Sequence, residues 1–283
     1  MRITFDHVSS AYTTRTRATQ PALQNICLDV DTTSLIGICG RTGSGKTTLI
    51  RHLNGIIKPD TGRIFVDGAD IHRSKNSLHA LRQRIGMTFQ FPERQLFGQT
   101  VWEELTYTLE RREVPHDQMK HQVLSACALV DFDVHALRHR SPFSLSRGEQ
   151  RKLSIAVILS LRPELLVLDE PTAGMDRANA FSFLHRLRTL HQTHQAQIIL
   201  VSHDIELLMH VADDLIILAH GSIAFAGSLP QILTTPHLLR DAGIPLPPIY
   251  QVLQLLRQSY PQISLSVQSF DEALQEIITH VPR

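Results

Sequence analysis

The sequence has 283 residues, of which 42% are hydrophobic and 19% are charged, and its formal net charge is +1. A chain of this length and composition can bury a full core as one large domain with an appendage. The near-neutral charge argues against general nucleic-acid binding, and the lack of an 18-residue apolar stretch or an apolar leader argues against a membrane span and against export.

Cysteine and histidine usage bears on the compartment and on metal binding. The three cysteines, Cys27, Cys39 and Cys127, include no CxxC pair, which favours a reducing cytosol over a disulfide framework. The 16 histidines are scattered and form no HExxH motif, so we interpret most of them as solvated surface residues.

The N-terminal third of the chain is predicted to consist mainly of strands. Their ranges are 2–8, 22–30, 34–39, 62–68 and 84–90. Among these, 34–39 (SLIGIC) is continuously apolar and is followed by a helix near 46–54. A continuously apolar strand indicates a parallel sheet that is buried on both faces.

The middle of the chain alternates helices with two more apolar strands, 165–169 (LLVLD) and 197–202 (QIILVS). The predicted helices lie near 100–111, 117–130, 147–160, 177–194 and 204–212. Strands that alternate with helices predict an α/β fold with a parallel-sheet core.

The C-terminal part changes character at about residue 228. A strand pair near 214–226 turns at "HGS" (220–222), and the prolines that follow separate short helical stretches at 249–258 and 269–280. We therefore predict one domain over 1–228 and a small C-terminal helical extension over 229–283. The apolar faces of the extension need a partner surface, which predicts a dimerisation region; packing on its own domain is the alternative.

The stretch "GRTGSGKT" (40–47) follows the apolar strand and opens a helix, which is the context that the G-x-x-x-x-G-K-[ST] pattern requires. Its glycines let backbone N–H groups wrap phosphates, Lys46 reaches the β and γ oxygens, and Thr47 is a magnesium ligand. A glycine-rich turn without a ligand is the alternative. The predicted nucleotide-binding residues here are Gly40, Arg41, Thr42, Gly43, Ser44, Gly45, Lys46, Thr47 and Thr48.

Three polar residues follow the two later apolar strands. Asp169 and Glu170 end the strand in "LLVLDEPTAGMD" (165–176), where open α/β sheets bind ligands. Asp169 is predicted to hold magnesium through a water, and Glu170 to orient the attacking water or accept its proton. His203 in "LVSHD" is predicted to hydrogen-bond the γ-phosphate. The alternative for Asp169 and Glu170 is that they only cap the end of a strand. The alternative for His203 is that it is only a polar residue at a strand terminus.

Gln90 ends the strand at 84–90 and begins the aromatic loop of "MTFQFPERQLF" (87–97). A strand-terminal amide can contact magnesium or the attacking water while its loop moves, so Gln90 is a candidate for both roles. The alternative is an ordinary loop whose phenylalanines are buried.

The stretch "LSRGEQRKLSIA" (145–156) begins a helix with a capping box between Ser146 and Glu149. Gly148 in the first turn costs about 0.5–1 kcal/mol relative to alanine. A helix N-terminus that offers a serine, a glycine and bare N–H groups suits an anion, whereas the alternative is that the stretch only starts a helix.

In this order the motifs resemble the nucleotide-binding subunits of ABC transporters, over about 1–228. They correspond to the Walker A motif (40–47), the Q-loop (Gln90), the signature (145–149), the Walker B motif (165–170), the D-loop that ends in Asp176 and the switch histidine His203. The resemblance implies a P-loop NTPase fold with an antiparallel β subdomain and a helical signature subdomain at about 91–160, and it implies Mg-dependent hydrolysis of ATP.

The same resemblance gives the signature and two more residues their roles. In that family Ser146 and Gly148 face the nucleotide held by the opposite subunit of a head-to-tail dimer, and Asp176 belongs to the nucleotide site. Tyr12 occupies the place of the aromatic residue that stacks on adenine. The usual signature is LSGGQ, so Arg147 and Glu149 are departures.

Within this family, "FQFPERQLF", "PTAGMD", the helical tail and the segment 12–26 are similar to the second of two paralogous ATPases of energy-coupling-factor transporters for vitamins or cobalt. This implies a heterodimer with a paralogous ATPase on the cytoplasmic face of the cell membrane, bound to a transmembrane T subunit and substrate-specific S subunits, without nucleic acid. The alternatives are a non-transport ABC ATPase that acts on nucleic acid or ribosomes and a P-loop kinase, which gives no reason for the signature.

Overall fold

The computed structural model describes residues 1–13, 19–89, 92–194, 196–265, 267 and 270–281. The described strands are β1 (Arg2–Thr13), β2 (Thr19–Asp31), β3 (Ile36–Cys39), β4 (Thr61–Val66), β5 (Ala69–Asp70), β6 (Ile85–Thr88), β7 (Leu165–Asp169), β8 (Gln197–Ser202), β9 (Asp214–Ala219) and β10 (Ser222–Ser228). The α-helices are α1 (Lys46–Leu53), α2 (Lys75–Arg84), α3 (Val101–Arg111), α4 (His116–Leu129), α5 (Val134–Leu137), α6 (Arg147–Ser160), α7 (Arg177–His194), α8 (Ile205–Met209), α9 (Leu229–Thr234), α10 (His237–Asp241), α11 (Pro248–Ser259) and α12 (Phe270–His280). Short 3-10 turns occur at Pro92–Gln95 and Pro142–Ser144.

The chain forms two compact units. The first combines Met1–Ser74 with Ile199–Arg283, and the second is Lys75–Ile198. In the first unit, β1 lies inside an antiparallel sheet of order β2-β1-β4-β5. Ile3, Phe5 and Val8 are its buried apolar residues, because side chains alternate between the faces of a strand and the pairing with β2 shifts register between Phe5 and Val8.

The first unit also contains the strands that lead to the phosphate-binding motif. Here β3 pairs in parallel with both β8 and β9, and β9 pairs antiparallel with β10. All four residues of β3 are buried, and each large apolar side chain removed from water contributes about 1.5–3 kcal/mol. The predicted buried parallel strands are confirmed.

The second unit pairs β6 with β7 in parallel, from Ile85 opposite Leu165 to Thr88 opposite Leu168. All residues of both strands are buried. Helices α2 and α6 pack on β6, and α4 packs on α6 and α7. The second unit is thus a small parallel pair of strands covered by helices.

The C-terminal extension packs within the first unit. Leu253 of α11 is fully buried, α11 contacts α12, and the Tyr250 hydroxyl donates to the carbonyl of Val267 at 2.5 Å. Burial raises the pKa of the Tyr250 hydroxyl to about 12. The extension therefore has its own buried residues.

The predicted α/β class is confirmed, and most predicted elements lie within a few residues of the observed ones. The sequence reasoning missed α2, of which only Leu81 is buried, because one buried position gives no helical period. It also missed the short helices α5, α9 and α10. Among the described residues, no helix is both long enough and apolar enough to span a membrane.

Two glycines provide a matched test of the antiparallel sheet. Gly62 and Gly68 have φ angles of +81° and +79°; a Cβ on Gly62 would lie 2.4 Å from the carbonyl oxygens of Asp6 and His7, whereas a Cβ on Gly68 would have no atom within 4 Å. We expect Gly68→Ala to lower the free energy of unfolding by about 1–2 kcal/mol, and Gly62→Ala by about 3 kcal/mol or more, because β1 must also move. Urea denaturation measures both, and equal losses would contradict the packing described here.

Candidate functional site

The phosphate-binding loop begins directly after β3. Gly43 and Gly45 have φ angles of +84° and +108°, which favour glycine. A Cβ on Gly45 would lie 2.7 Å from the carbonyl oxygen of Ala22, so the close approach of β2 also requires glycine there. Arg41, Thr42 and Gly43 are exposed at the tip of the loop.

The N-terminus of α1 has the chemistry of an anion site. Its N-cap is Gly45, which provides no side-chain cap, and no acidic residue lies in its first turn; orphan N–H groups at such an end favour phosphate. The Lys46 ammonium group is buried and donates to the carbonyl oxygens of Gly40 at 2.5 Å and Arg41 at 3.1 Å. Among the described residues, the buried Ser44 hydroxyl has no hydrogen-bond partner. The loop therefore fits the phosphates of a nucleotide.

Tyr12 lies beside the same helix. Its hydroxyl is 3.3 Å from the Thr48 hydroxyl, and 42% of the residue is exposed. An aromatic ring that is half open to solvent next to a phosphate loop leaves a face on which a base can stack.

The structure also brings His203 to the start of the loop. Cys39 and Ser202 are partners in the parallel ladder between β3 and β8, so Gly40 and His203 leave the two strands at the same edge. The Cys39 thiol lies 3.9 Å from the carbonyl oxygen of His203. The first unit thus joins the phosphate loop, Tyr12 and His203.

The second unit holds the buried acidic pair. Asp169 is 1% exposed and Glu170 is 8% exposed. The Asp169 backbone N–H donates to the Thr88 hydroxyl at 3.3 Å, which ties the end of β7 to β6. Two adjacent carboxylates this deeply buried are expensive without compensation.

Arg151 on α6 bonds to the main chain beside the acidic pair. Its guanidinium group donates from Nη1 to the carbonyl oxygen of Ala173 at 2.8 Å and from Nη2 to that of Glu170. The Glu170 backbone is left-handed, with φ +51°, at a cost of about 1–2 kcal/mol for a residue other than glycine. Sequence reasoning missed Arg151, and its position two residues after the signature was the only available signal.

The N-terminus of α6 carries the predicted capping box, which is confirmed. The Glu149 N–H donates to the Ser146 hydroxyl at 3.3 Å, and the Glu149 carboxylate accepts from the Ser146 N–H at 2.8 Å and from its hydroxyl at 2.7 Å. Hydrogen bonds from Ser146 hold the pKa of Glu149 below its usual value. Ser146, Arg147 and Gly148 are exposed, and a Cβ on Gly148 would meet nothing within 4 Å.

Asp176 stands just before α7 and accepts hydrogen bonds from the backbone N–H of Asn179, at 3.0 Å, and from its side-chain amide. These bonds lower the pKa of Asp176. The residue therefore caps α7 whatever it contributes to nucleotide binding.

Comparison with known proteins identifies the family, because residues 23–173 match the family model for ABC transporters. The chain belongs to the ABC transporter family. The energy-coupling factor transporter ATP-binding protein EcfA2 of Caldanaerobacter subterraneus is 34% identical over 281 residues, which cover 99% of this chain and 98% of the relative. EcfA2 of Clostridium perfringens is 32% identical over 281 residues, with 98% and 99% covered.

A solved ABC protein has the same fold. The structure of cbiO1 from Clostridium perfringens, described as part of the ABC transporter complex cbiONQ, superposes with a TM-score of 0.73 at 26% identity and covers 89% of this chain and 98% of cbiO1. With the two curated relatives, this places the chain among the ATP-binding proteins of energy-coupling factor transporters.

ABC ATPases imply a magnesium ion, and each of the two units contains one oxygen donor of the kind that this ion takes. Thr47 follows Lys46 in the first turn of α1, and Asp169 presents a buried carboxylate at the end of β7. Hydroxyl and carboxylate oxygens are the ligands that Mg²⁺ prefers. The third predicted ligand, Gln90, lies outside the described residues, as does Phe91 beside it.

Proposed function

We propose that this chain is the ATP-hydrolysing subunit of an energy-coupling-factor importer, which drives uptake of a vitamin or related micronutrient through membrane partner subunits. The observation that carries the ATPase role is the uncapped N-terminus of α1, with the buried Lys46, in a chain that also buries Asp169 and Glu170. The names of the relatives support transport over the alternative of a non-transport ATPase on nucleic acid or ribosomes.

Each candidate residue has a proposed role in that reaction. Residues 40–48 bind the phosphates of ATP, and Tyr12 stacks on adenine. Thr47, Asp169 and Gln90 would hold magnesium, which would neutralise charge on the phosphate oxygens. Glu170 orients the attacking water and takes its proton. The remaining candidates are His203 and Gln90 near the γ-phosphate, and Ser146, Gly148 and Asp176, which act across a dimer interface on the partner's nucleotide.

Two substitutions separate binding from chemistry. Glu170→Gln is expected to slow hydrolysis by about 10²–10⁴-fold, the range for loss of a general base, while ATP binding stays within about 2-fold. Lys46→Ala removes a phosphate contact and is expected to weaken ATP binding itself. Nucleotide titration and phosphate release on the purified transporter complex measure both. Wild-type turnover by Glu170→Gln would show that another group is the base.

The proposed partners follow from the names of the relatives. The relatives' names indicate an assembly of ATPases with membrane components, and we propose a paralogous ATPase, a transmembrane T subunit and an S subunit on the cytoplasmic face of the membrane. Because the S subunit selects the solute in such assemblies, the chain itself is proposed to supply energy only.

The C-terminal extension is proposed to contact the paralogous ATPase. Large apolar residues remain exposed on its two longest helices, α11 and α12: Val252, Leu255, Leu274 and Ile278, between 41% and 66% exposed. Its other apolar residues pack inside the first unit, which supports packing on its own domain for that buried face. The exposed face is the one left for a partner.

Substitutions on that face test the dimer contact. Leu255→Asp combined with Ile278→Asp is expected to weaken association with the second ATPase by about 10-fold or more, because two apolar contacts become charged. Ile56→Asp, at an isoleucine that is 47% exposed outside the extension, is the matched control. Analytical ultracentrifugation measures association with the second ATPase. If the double variant and the control associated equally well, the extension would pack only on its own unit.

The loop after Gln90 is proposed to contact the T subunit. The sequence predicts an apolar groove formed by Phe91, Pro92, Leu96 and Phe97, but Leu96 is buried and Phe91 lies outside the described residues. Phe97 is 59% exposed, stacks edge-on against Tyr107 with ring centroids 4.9 Å apart, and its N–H donates to the Glu104 carboxylate at 2.8 Å. A rigidly held exposed aromatic ring is a suitable anchor for a partner helix.

Phe97→Asp is therefore expected to reduce co-purification with the membrane subunits by about 10-fold or more, while ATP binding stays unchanged. Phe97→Leu keeps an apolar side chain and is the control. Quantitative pull-down from detergent extract measures the effect. Intact assembly and uptake with Phe97→Asp would remove this loop from the proposed interface.

A further inference from the structure

We propose that Arg151 is a positioning residue for ATP hydrolysis, which holds the main chain of Glu170 so that its carboxylate keeps the direction needed to activate water. The inference rests on the proposed role of Glu170 as the base. Two hydrogen bonds and one backbone angle carry it.

The first observation is the geometry of the Arg151 hydrogen bonds. The turn that follows β7 begins at Glu170 and ends at Ala173, whose N–H donates to the Glu170 carbonyl oxygen at 3.2 Å. The Arg151 guanidinium donates to the carbonyl oxygens at both ends of this turn, 19 and 22 residues away in sequence. One planar group therefore joins both ends of the turn, which a lysine cannot do in the same way.

The second observation is the backbone of Glu170 itself. Other non-glycine residues with positive φ in the described chain lie at exposed positions: His7, Asn25, Asp67, Glu113, Asp131, Arg162 and His220. Glu170 is buried, so its left-handed backbone is set by its surroundings rather than by a solvated turn. Strained backbone persists where neighbouring groups hold it, and it concentrates at functional sites.

Charge compensation is the competing explanation for Arg151. Burial lowers the pKa of its guanidinium group, and the nearby charges of Glu93, Glu170 and Asp169 oppose that effect. A lysine at this position would keep the charge but not the fork of donors. Arg151→Lys therefore distinguishes positioning from compensation.

The position of Arg151 on α6 gives the contact a wider consequence. The same helix begins at the capping box of Ser146 and Glu149. Under the proposed function, the first turn of α6 serves the partner's nucleotide and Glu170 serves the nucleotide of its own chain. Arg151 thus joins an element of one ATP site to the base of the other.

The test is a double-mutant cycle in the complete transporter complex, with ATP as substrate. Arg151→Met and Arg151→Lys are each expected to lower kcat by about 10–100-fold, the scale of a misplaced catalytic group, with the KM for ATP within about 3-fold. In a Glu170→Gln background, either substitution is expected to change the residual rate by less than about 3-fold, because Arg151 acts through Glu170. Single-turnover hydrolysis of radiolabelled ATP makes that residual rate measurable.

Lys152→Met is the matched control, since Lys152 lies next along the helix and bonds to Asp131 instead; its kcat is expected to stay near wild type. If the Arg151 substitutions lowered the hydrolysis rate equally in the wild-type and Glu170→Gln backgrounds, a general structural role would replace the proposal. A wild-type kcat in Arg151→Lys would overturn it in favour of charge compensation. If Arg151→Met does not fold, the lysine cycle decides alone. Failure of the proposed function is distinguishable from this, because the Glu170→Gln variant without any Arg151 substitution would then hydrolyse ATP at the wild-type rate.

Discussion

The parallel pairing of β3 is the constraint on which the nucleotide-binding part of the first unit depends. The strand has only four residues, all of them buried, and it is bonded on both sides. Because side chains alternate along a strand, a slip of one residue would exchange its buried faces and is strongly disfavoured. The register therefore determines where Gly40 leaves the sheet and places His203, the residue after β8, beside it.

The phosphate loop and the acidic pair supply functional groups of opposite charge in different ways. The loop combines backbone N–H groups at the start of α1, made accessible by its glycines, with the ammonium group of Lys46. The acidic pair is buried, Arg151 bonds to the main chain of Glu170, and Glu170 itself has a left-handed backbone. Departures from local preference of this kind are expected at functional positions.

The C-terminal extension illustrates how a single segment can have two faces. Its inner side packs in the first unit, and Gly243, with φ +69°, comes so close to the phosphate loop that a Cβ there would lie 2.6 Å from Cδ of Arg41. Its outer side leaves apolar residues of α11 and α12 exposed. The extension therefore approaches the phosphate loop of its own chain on one side and exposes apolar side chains on the other.

The sequence by itself determined what depends on residues close together along the chain. The P-loop pattern, the buried apolar strands, the capping box of Ser146 and the family resemblance were all readable, because strand burial and helix caps follow from neighbours within a few positions. The tertiary structure alone decided that Arg151 bonds to Glu170, that Tyr12 reaches Thr48, that Leu96 is buried while Phe97 is exposed, and that α2 forms with one buried residue. These contacts depend on how distant segments pack, and a local pattern contains no information about which distant atoms will supply the partner.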